Sequence, residues 1–128
     1  MLLVRAWSAV ALTLLLLALT MRVIALRFST HVLLGDGSDP ILAAAIRGHG
    51  NLTENAPIAL ILIGLLELSG AAMTPLAWLA GIFVAARIAH AVSFLTRADK
   101  PALPRAIGTV TTNICLASAA VWLALRAL

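Results

Sequence analysis

Residues 7–26 read WSAVALTLLLLALTMRVIAL, and this run decides the fold because it can cross a membrane as a single helix. A helical crossing takes about 20 predominantly apolar residues, and Arg22 is the one charged residue in the run. No small-residue cleavage site of a signal peptide follows, and Arg22 and Arg27 continue the same helical pattern. We therefore expect the run to remain in the mature protein as its first transmembrane helix.

The composition of the whole chain leads to the same class of protein. Of its 128 residues, 62% are apolar and 11% are charged, and the mean hydropathy is +1.08. Soluble domains are about 45–50% apolar and about 25% charged, and a chain this small has too much surface to hide such an excess. The alternating strands of a membrane β-barrel are absent, so we predict an all-α membrane protein.

Four crossings account for the apolar segments and form one domain, residues 1–128. The second and third crossings each begin at a polar cap followed by proline, Ser38 or Asp39 before Pro40 and Thr74 before Pro75. A second helix of this length spans roughly 45 Å, so we expect its first turns to project beyond the apolar slab or to lie at its edge. The predicted helices of this four-transmembrane-helix bundle are residues 7–26, 40–69, 75–95 and 105–125.

Positive charges near the helix ends predict the orientation. The side that holds the first and third connections has Arg22, Arg27, Arg97, Lys100 and Arg105. The other side has only Arg5 and Arg126. We expect the first side to face the cytoplasm and both termini to face away from it.

The sequence gives no support to a nucleic-acid site, a cysteine-based site or a metal site. The net charge of +4 is scattered among apolar runs and forms no basic patch, which argues against nucleic acid. Cys115 is the one cysteine, and its apolar neighbours predict a small buried side chain. His31, His49 and His90 lack the spacing of metal ligands, so we predict no metal site.

The second helix carries the densest polar group. At about 100° per residue, Arg47, Asn51 and Glu54 fall within roughly 60° of one another and form one stripe. Asn55 borders the stripe, while His49 points elsewhere. Charged residues inside a membrane are costly and mark candidate sites.

The chemistry of this stripe suits a zwitterionic ligand such as a small peptide. A guanidinium binds a carboxylate through two N–H groups, and the carboxylate of Glu54 accepts an ammonium group. Gly48 and Gly50 allow another helix to approach closely. The alternative is that Arg47 and Glu54 only satisfy residues of other helices or subunits.

The third helix adds a second polar group, with Arg87 and His90 three residues apart and Phe94 one turn further along the same face. Both groups lie towards the cytoplasmic ends of their helices, so we expect them to converge on one cavity. Glu67 lies about 220° around the second helix from Glu54, near the charge-poor end, and is interpreted as interfacial.

The pattern Arg47-x-x-x-Asn51-x-x-Glu54-x-x-Pro57, continued by Ala85-Ala86-Arg87-Ile88-Ala89-His90 on the third helix, resembles the MAPEG family (membrane-associated proteins in eicosanoid and glutathione metabolism). The resemblance spans most of the chain and is strongest to small bacterial members related to microsomal glutathione transferases. It implies a homotrimer with glutathione bound between neighbouring subunits, near the cytoplasmic face.

The resemblance also implies roles for individual residues. The glutathione-binding positions that it implies are Arg47, Asn51, Glu54 and Arg87, with Asn55 and His90 at positions where better-known relatives carry tyrosines. Phe94 replaces another tyrosine. The family's thiolate-stabilising arginine follows the third helix, where Arg97, Lys100 and Arg105 compete, and Arg27 matches an arginine at the end of the first helix.

Three functions compete. The leading hypothesis is a glutathione transferase acting on lipophilic electrophiles, with peroxide reduction left open. Because the chain contains no tyrosine, a non-catalytic glutathione- or lipid-binding scaffold of the same fold is the alternative. A small multidrug-type transporter ranks lowest, because such transporters place their key glutamate in the first helix, where this chain has arginines.

Overall fold

The computed structural model describes residues 3–96 and 103–128, and these residues form four α-helices. The helices are α1 (Leu3–Thr30), α2 (Pro40–Leu68), α3 (Met73–Thr96) and α4 (Leu103–Ala127). Each of them is long enough and apolar enough to cross a membrane. The predicted all-α, four-transmembrane-helix fold is confirmed.

The helices differ from the predicted segments mainly at their ends. Helix α1 begins at Leu3 rather than residue 7 and ends at Thr30 rather than residue 26, because the helical hydrogen bonds continue past the apolar run into polar sequence. Helix α2 begins with Pro40, and the Asp39 carboxylate caps it by accepting the N–H groups of Ile41 at 2.8 Å and Leu42 at 2.7 Å. Of the two predicted caps, Asp39 is the one used.

The first connection is closed by an arginine. Arg27, in the last turn of α1, donates from Nη1 to the carbonyl oxygens of Val32, Leu33 and Gly35 at 3.0–3.2 Å. Gly37 has a φ of +59°, and a Cβ there would collide with the Val32 side chain. Glycine is therefore required where the chain turns towards α2.

Helices α2 and α3 form the centre of the bundle, because each of them packs against all three of the other helices. Helices α1 and α4 lie on opposite sides of this pair and make no contact with each other within the described residues. The face of α2 inside the bundle is rich in small residues, including Ala45, Gly48 and Ala59. Small side chains let the neighbouring helices approach closely in a membrane.

The outer surface of the bundle is apolar, as a bilayer requires. Large exposed side chains such as Leu14, Met21 and Ile61 point outward. The three tryptophans lie at the start of α1, the start of α3 and the end of α4, all at the charge-poor end of the bundle. Tryptophan is enriched at membrane–water interfaces, so this end lies at one of the two membrane surfaces.

Candidate functional site

A polar contact with a buried arginine joins the two central helices. Arg87 on α3 is 2% exposed, and its Nη1 donates a hydrogen bond of 2.5 Å to Oδ1 of Asn51 on α2. Its Nε and Nη2 have no hydrogen-bond partner in residues 3–96 and 103–128. A buried guanidinium with unused donors is an unusual arrangement, and it marks this place as able to receive an acceptor.

The structure brings Asn51 and Arg87 together, as the sequence predicts for the two polar groups. The other two residues of the α2 stripe do not point into the subunit. Arg47 and Glu54 are both exposed on the outer side of α2, and neither forms a hydrogen bond or an ion pair with another residue in the described part of the chain. Asn51 of the stripe therefore contacts the buried cation Arg87 of α3, while the cation and the carboxylate of the stripe, Arg47 and Glu54, face outward.

Asn55 and His90 flank this arrangement in different ways. Asn55 Nδ2 donates to the backbone oxygen of Asn51 at 2.7 Å, so its amide stays along α2. His90 is buried, within electrostatic reach of both Arg87 and Arg105. The two residues border the Arg87–Asn51 contact from α2 and α3 respectively.

A third polar contact links the start of α4 to the same end. The guanidinium carbon of Arg105 lies 4.0 Å from the centroid of the Phe94 ring, and Arg105 donates to Oγ and O of Ser93, both at 3.4 Å. The Phe94 ring lies 5.1 Å from the His90 ring between centroids. The ring also packs on Gly48 of α2, so Phe94 connects α2, α3 and α4 beside the stripe.

The candidates for the thiolate-stabilising cation separate in the structure. Arg105 reaches the α2–α3 group through Phe94, whereas Arg27 is engaged by carbonyl groups of the first connection. Arg97 and Lys100 lie outside the described residues. Arg105 is therefore the candidate whose position beside the polar group is defined.

Comparison with known proteins identifies the relatives of this bundle. The profile of the MAPEG family matches residues 6–125. The chain belongs to the MAPEG family. It is 39% identical over 92 residues, 71% of this chain and 70% of the relative, to the inner membrane protein YecN of Escherichia coli (strain K12). The protein of the same name from Escherichia coli O6:H1 (strain CFT073) matches to the same extent.

The match accounts for the class of protein. The MAPEG profile includes all four helices apart from a few terminal residues, and the similar protein is an inner membrane protein. With four membrane-crossing helices, the chain is a multi-pass inner membrane protein of the MAPEG family.

The charged side chains at the opposite end of this MAPEG bundle have partners within the chain, although Glu67 Oε1 has none among the described residues. Glu67 accepts the backbone N–H of Arg5 at 3.3 Å and lies 3.8 Å from the Arg5 guanidinium. Arg126 donates to the side chain and carbonyl oxygen of Ser69. The Glu67 side chain is 3% exposed, so its carboxylate is enclosed by the helices at this end of the bundle.

Several contacts were not predictable from the residue pattern. His49 points away from the stripe, as expected, and its Nε2 lies 3.1 Å from Oγ1 of Thr20 on α1. Because Thr20 gives its single hydroxyl hydrogen to Leu16 O at 2.8 Å, the imidazole is the donor in this pair. Ser93, which binds Arg105, was missed, although a small polar residue three positions after His90 is a detectable signal.

Two other sequence interpretations concern the interior. Cys115 is a free, buried cysteine within the apolar core, as predicted. In residues 3–96 and 103–128 no three histidine, cysteine or acidic side chains come close enough to hold a metal ion. The polar chemistry described for this MAPEG protein is therefore that of arginine, amide and carboxylate groups.

Proposed function

We propose that this protein is a membrane glutathione transferase that joins glutathione to lipophilic electrophiles. The observation that carries the proposal is the buried Arg87 guanidinium, held by Asn51 with Nε and Nη2 left without partners in the described residues. In a member of the MAPEG family, this cation lies next to an open cation and carboxylate on α2. Glutathione offers two carboxylates and one ammonium group to such a set.

Each polar side chain has a role in binding the tripeptide. Arg47 and Arg87 bind its carboxylates through paired N–H groups, and Glu54 accepts its ammonium group. Asn51 orients Arg87, while Asn55 and His90 supply further hydrogen-bonding groups beside it. The ligand supplies acceptors for Arg87 Nε and Nη2, which have no partner among the described residues.

The homotrimer that the resemblance to the MAPEG family implies is part of this proposal, because a neighbouring copy can cover the outward stripe. Arg47 and Glu54 are exposed on a single subunit, and a charged side chain that faces lipid is costly. A neighbouring copy that covers this face removes both groups from lipid and encloses the tripeptide between subunits. The positively charged helix ends orient this site towards the cytoplasm, with both termini on the other side.

The chemistry is a substitution by the glutathione thiolate. A free thiol has a pKa near 8.5 and is mostly protonated at neutral pH, so a guanidinium beside the sulfur favours loss of the thiol proton to water. The thiolate electron pair then forms a C–S bond with the electrophilic carbon. With a chloronitrobenzene acceptor the C–Cl bond breaks, and chloride leaves with its electron pair. Arg105, Arg97 and Arg27 are the proposed cations, and Arg105 is the one seen beside the polar group.

The test uses the full-length protein in detergent. Addition of glutathione should raise the ultraviolet absorbance of the thiolate, and a chloronitrobenzene acceptor should be converted to its glutathione conjugate. Arg87→Leu should abolish both signals, because it removes the buried cation. A wild-type protein that gives neither a thiolate signal nor a conjugate contradicts the transferase proposal.

The absence of tyrosine from the chain favours one other function, a non-catalytic scaffold that binds glutathione or lipid. The described residues beside Arg87 include an imidazole and a phenyl ring but no phenol that could donate to a thiolate. Calorimetry distinguishes the two functions, because the scaffold binds glutathione with measurable heat and forms no conjugate.

A further inference from the structure

Phe94 has an arrangement that packing alone does not require. Its ring is buried on α3 and packs on the backbone of α2 at Gly48, where a Cβ atom would lie 3.1 Å from the ring carbon Cγ. The guanidinium carbon of Arg105 on α4 lies over the same ring, 4.0 Å from its centroid. One apolar side chain thus fixes the distance between a helix of the polar stripe and a cation of another helix.

We propose that Phe94 is a positioning residue, and that its ring holds Arg105 where the guanidinium stabilises the thiolate of bound glutathione. This inference rests on the proposed transferase function and deepens it, since it selects Arg105 among the candidate cations. Phe94 acts through Arg105 and does not itself take part in the reaction.

The physical basis is the charge distribution of the ring. The face of an aromatic ring is negative and attracts a cation within about 6 Å of its centroid. Arg105 also donates to Ser93 O and Oγ, but both of these hydrogen bonds are long, at 3.4 Å. The guanidinium lies over the face of the Phe94 ring and is attracted to it in addition to these hydrogen bonds.

Gly48 leaves the space on α2 that the Phe94 ring occupies. It directly follows Arg47 in the stripe, and its missing side chain is what lets the ring reach the α2 backbone. Any displacement of the ring by a side chain at position 48 therefore moves Arg105 relative to Arg47. At Gly50, by contrast, an added Cβ would meet nothing within 4 Å.

The decisive experiment replaces Phe94 by phenylalanines with increasing numbers of ring fluorines, in the full-length protein in detergent. Fluorine withdraws negative charge from the ring face and changes the ring volume little, so a packing role and a cation-holding role respond differently. The measurement is the pH midpoint of thiolate formation by bound glutathione, followed by ultraviolet absorbance. We expect the midpoint to rise stepwise, by about one unit for the fully fluorinated ring, which is about 1.4 kcal/mol.

Two matched controls accompany this series. Phe83, another buried ring of α3, takes the same fluorinated residues and should leave the midpoint unchanged. Gly48→Ala should raise the midpoint, because its methyl group presses on the Phe94 ring, whereas Gly50→Ala should not. These two glycine variants test the packing of the Phe94 ring on Gly48 independently of the charge on the ring face.

The outcomes separate the two proposals. A wild-type protein that forms no glutathione thiolate overturns the transferase function, and this inference with it. A wild-type protein that forms the thiolate while the fluorinated series at Phe94 leaves the midpoint unmoved overturns the positioning role alone. A stepwise rise at Phe94 with no change at Phe83 supports it.

Discussion

The two ends of the bundle treat their charges in opposite ways. At the charge-poor end, Arg5 meets Glu67 and Arg126 meets Ser69, all within one chain. At the other end, Arg47 and Glu54 stand exposed without contacts in the described residues, and Arg87 keeps two unused donors. The first end meets most of its charges with groups of its own chain, although Glu67 Oε1 has no partner among the described residues. At the second end, Arg47, Glu54 and Arg87 keep polar groups without described partners, and a ligand or a second subunit could supply them.

This difference separates the charges that build the fold from those available for function. Polar groups at membrane depth are costly unless they are satisfied, so groups that have no partner among the described residues are available to a ligand or a second subunit. The end with Arg5, Glu67 and Arg126 is called the closed end, and the end with Arg47, Glu54 and Arg87 is called the open end. Substitutions at the closed end should therefore change stability and leave ligand binding intact. Substitutions of the exposed stripe residues should do the reverse.

The largest expected effect is on glutathione affinity at the open end. Arg47→Ala removes a charge-assisted pair of hydrogen bonds to a carboxylate, a loss of roughly 1.5–3 kcal/mol, and should weaken binding roughly tenfold to a hundredfold. The measurement is isothermal titration of glutathione into the detergent-solubilised protein. Glu54→Ala should also weaken binding, through the lost partner of the ammonium group.

Arg126→Ala is the matched control, because it removes an arginine that contacts only the closed end. Its glutathione affinity should equal that of the wild type. If Arg47→Ala and Glu54→Ala bind glutathione as tightly as the wild type, the open end is a subunit contact and not the ligand site.

The closed end supplies the next effect, which is on stability. Arg5→Leu leaves the Glu67 carboxylate, 3% exposed, with the Arg5 backbone N–H but without its cation. An unsatisfied buried group costs about 1–3 kcal/mol, and the melting temperature should fall accordingly. Arg5→Lys keeps a cation and should recover most of the loss.

Glutathione affinity is the second readout for Arg5→Leu, measured below the melting temperature. It should not change, since Arg5 lies at the far end of the bundle from the stripe. A parallel loss of affinity and stability would mean that the two ends are not independent.

Much of the fold and part of the site could be predicted from sequence because both follow from local rules. Runs of apolar residues predict membrane helices since lipid imposes the length, and the 100° rotation per residue places Arg47, Asn51 and Glu54 on one stripe. The cap and proline before α2 likewise depend only on neighbouring residues.

The contacts between helices depend on packing, which local rules do not contain. The pairing of Asn51 with Arg87 joins residues 36 positions apart, and its choice depends on how closely α2 and α3 approach. The capture of Arg27 by three carbonyl groups depends on the path of the connection. Glu67 is buried because α1 begins at Leu3 and brings Arg5 to it, a start that the apolar run alone did not indicate.

A smaller effect tests whether the close packing of α4 on α3 stabilises the open end. A Cβ at Gly108 of α4 would lie 2.8 Å from the backbone oxygen of Ala86 and 2.9 Å from Cβ of His90. Gly108→Ala therefore pushes α4 away from α3 beside Arg87, and overpacking of this kind costs about 1–3 kcal/mol. We expect about the lower end of that range in thermal unfolding, because the helix can shift as a body.

Gly81→Ala on α3 is the control, since a Cβ there meets nothing within 4 Å, and it should leave the melting temperature unchanged or raise it. If Gly108→Ala is as stable as Gly81→Ala, the close approach of α3 and α4 does not support the open end.

The smallest effect distinguishes the two polar sides of α2 itself. Thr20→Val removes the hydroxyl that accepts the His49 Nε2–H, a hydrogen bond worth about 0.5–1.5 kcal/mol. Thr53→Val is matched to it, because the Thr53 hydroxyl donates only along its own helix, to His49 O, and should cost less. Since His49 is satisfied inside the subunit while Arg47 is not, Thr20→Val should lower the melting temperature slightly without affecting glutathione affinity. Weaker glutathione binding in Thr20→Val would place α1 and His49 in the ligand site. The site would then extend from the stripe on α2 to α1.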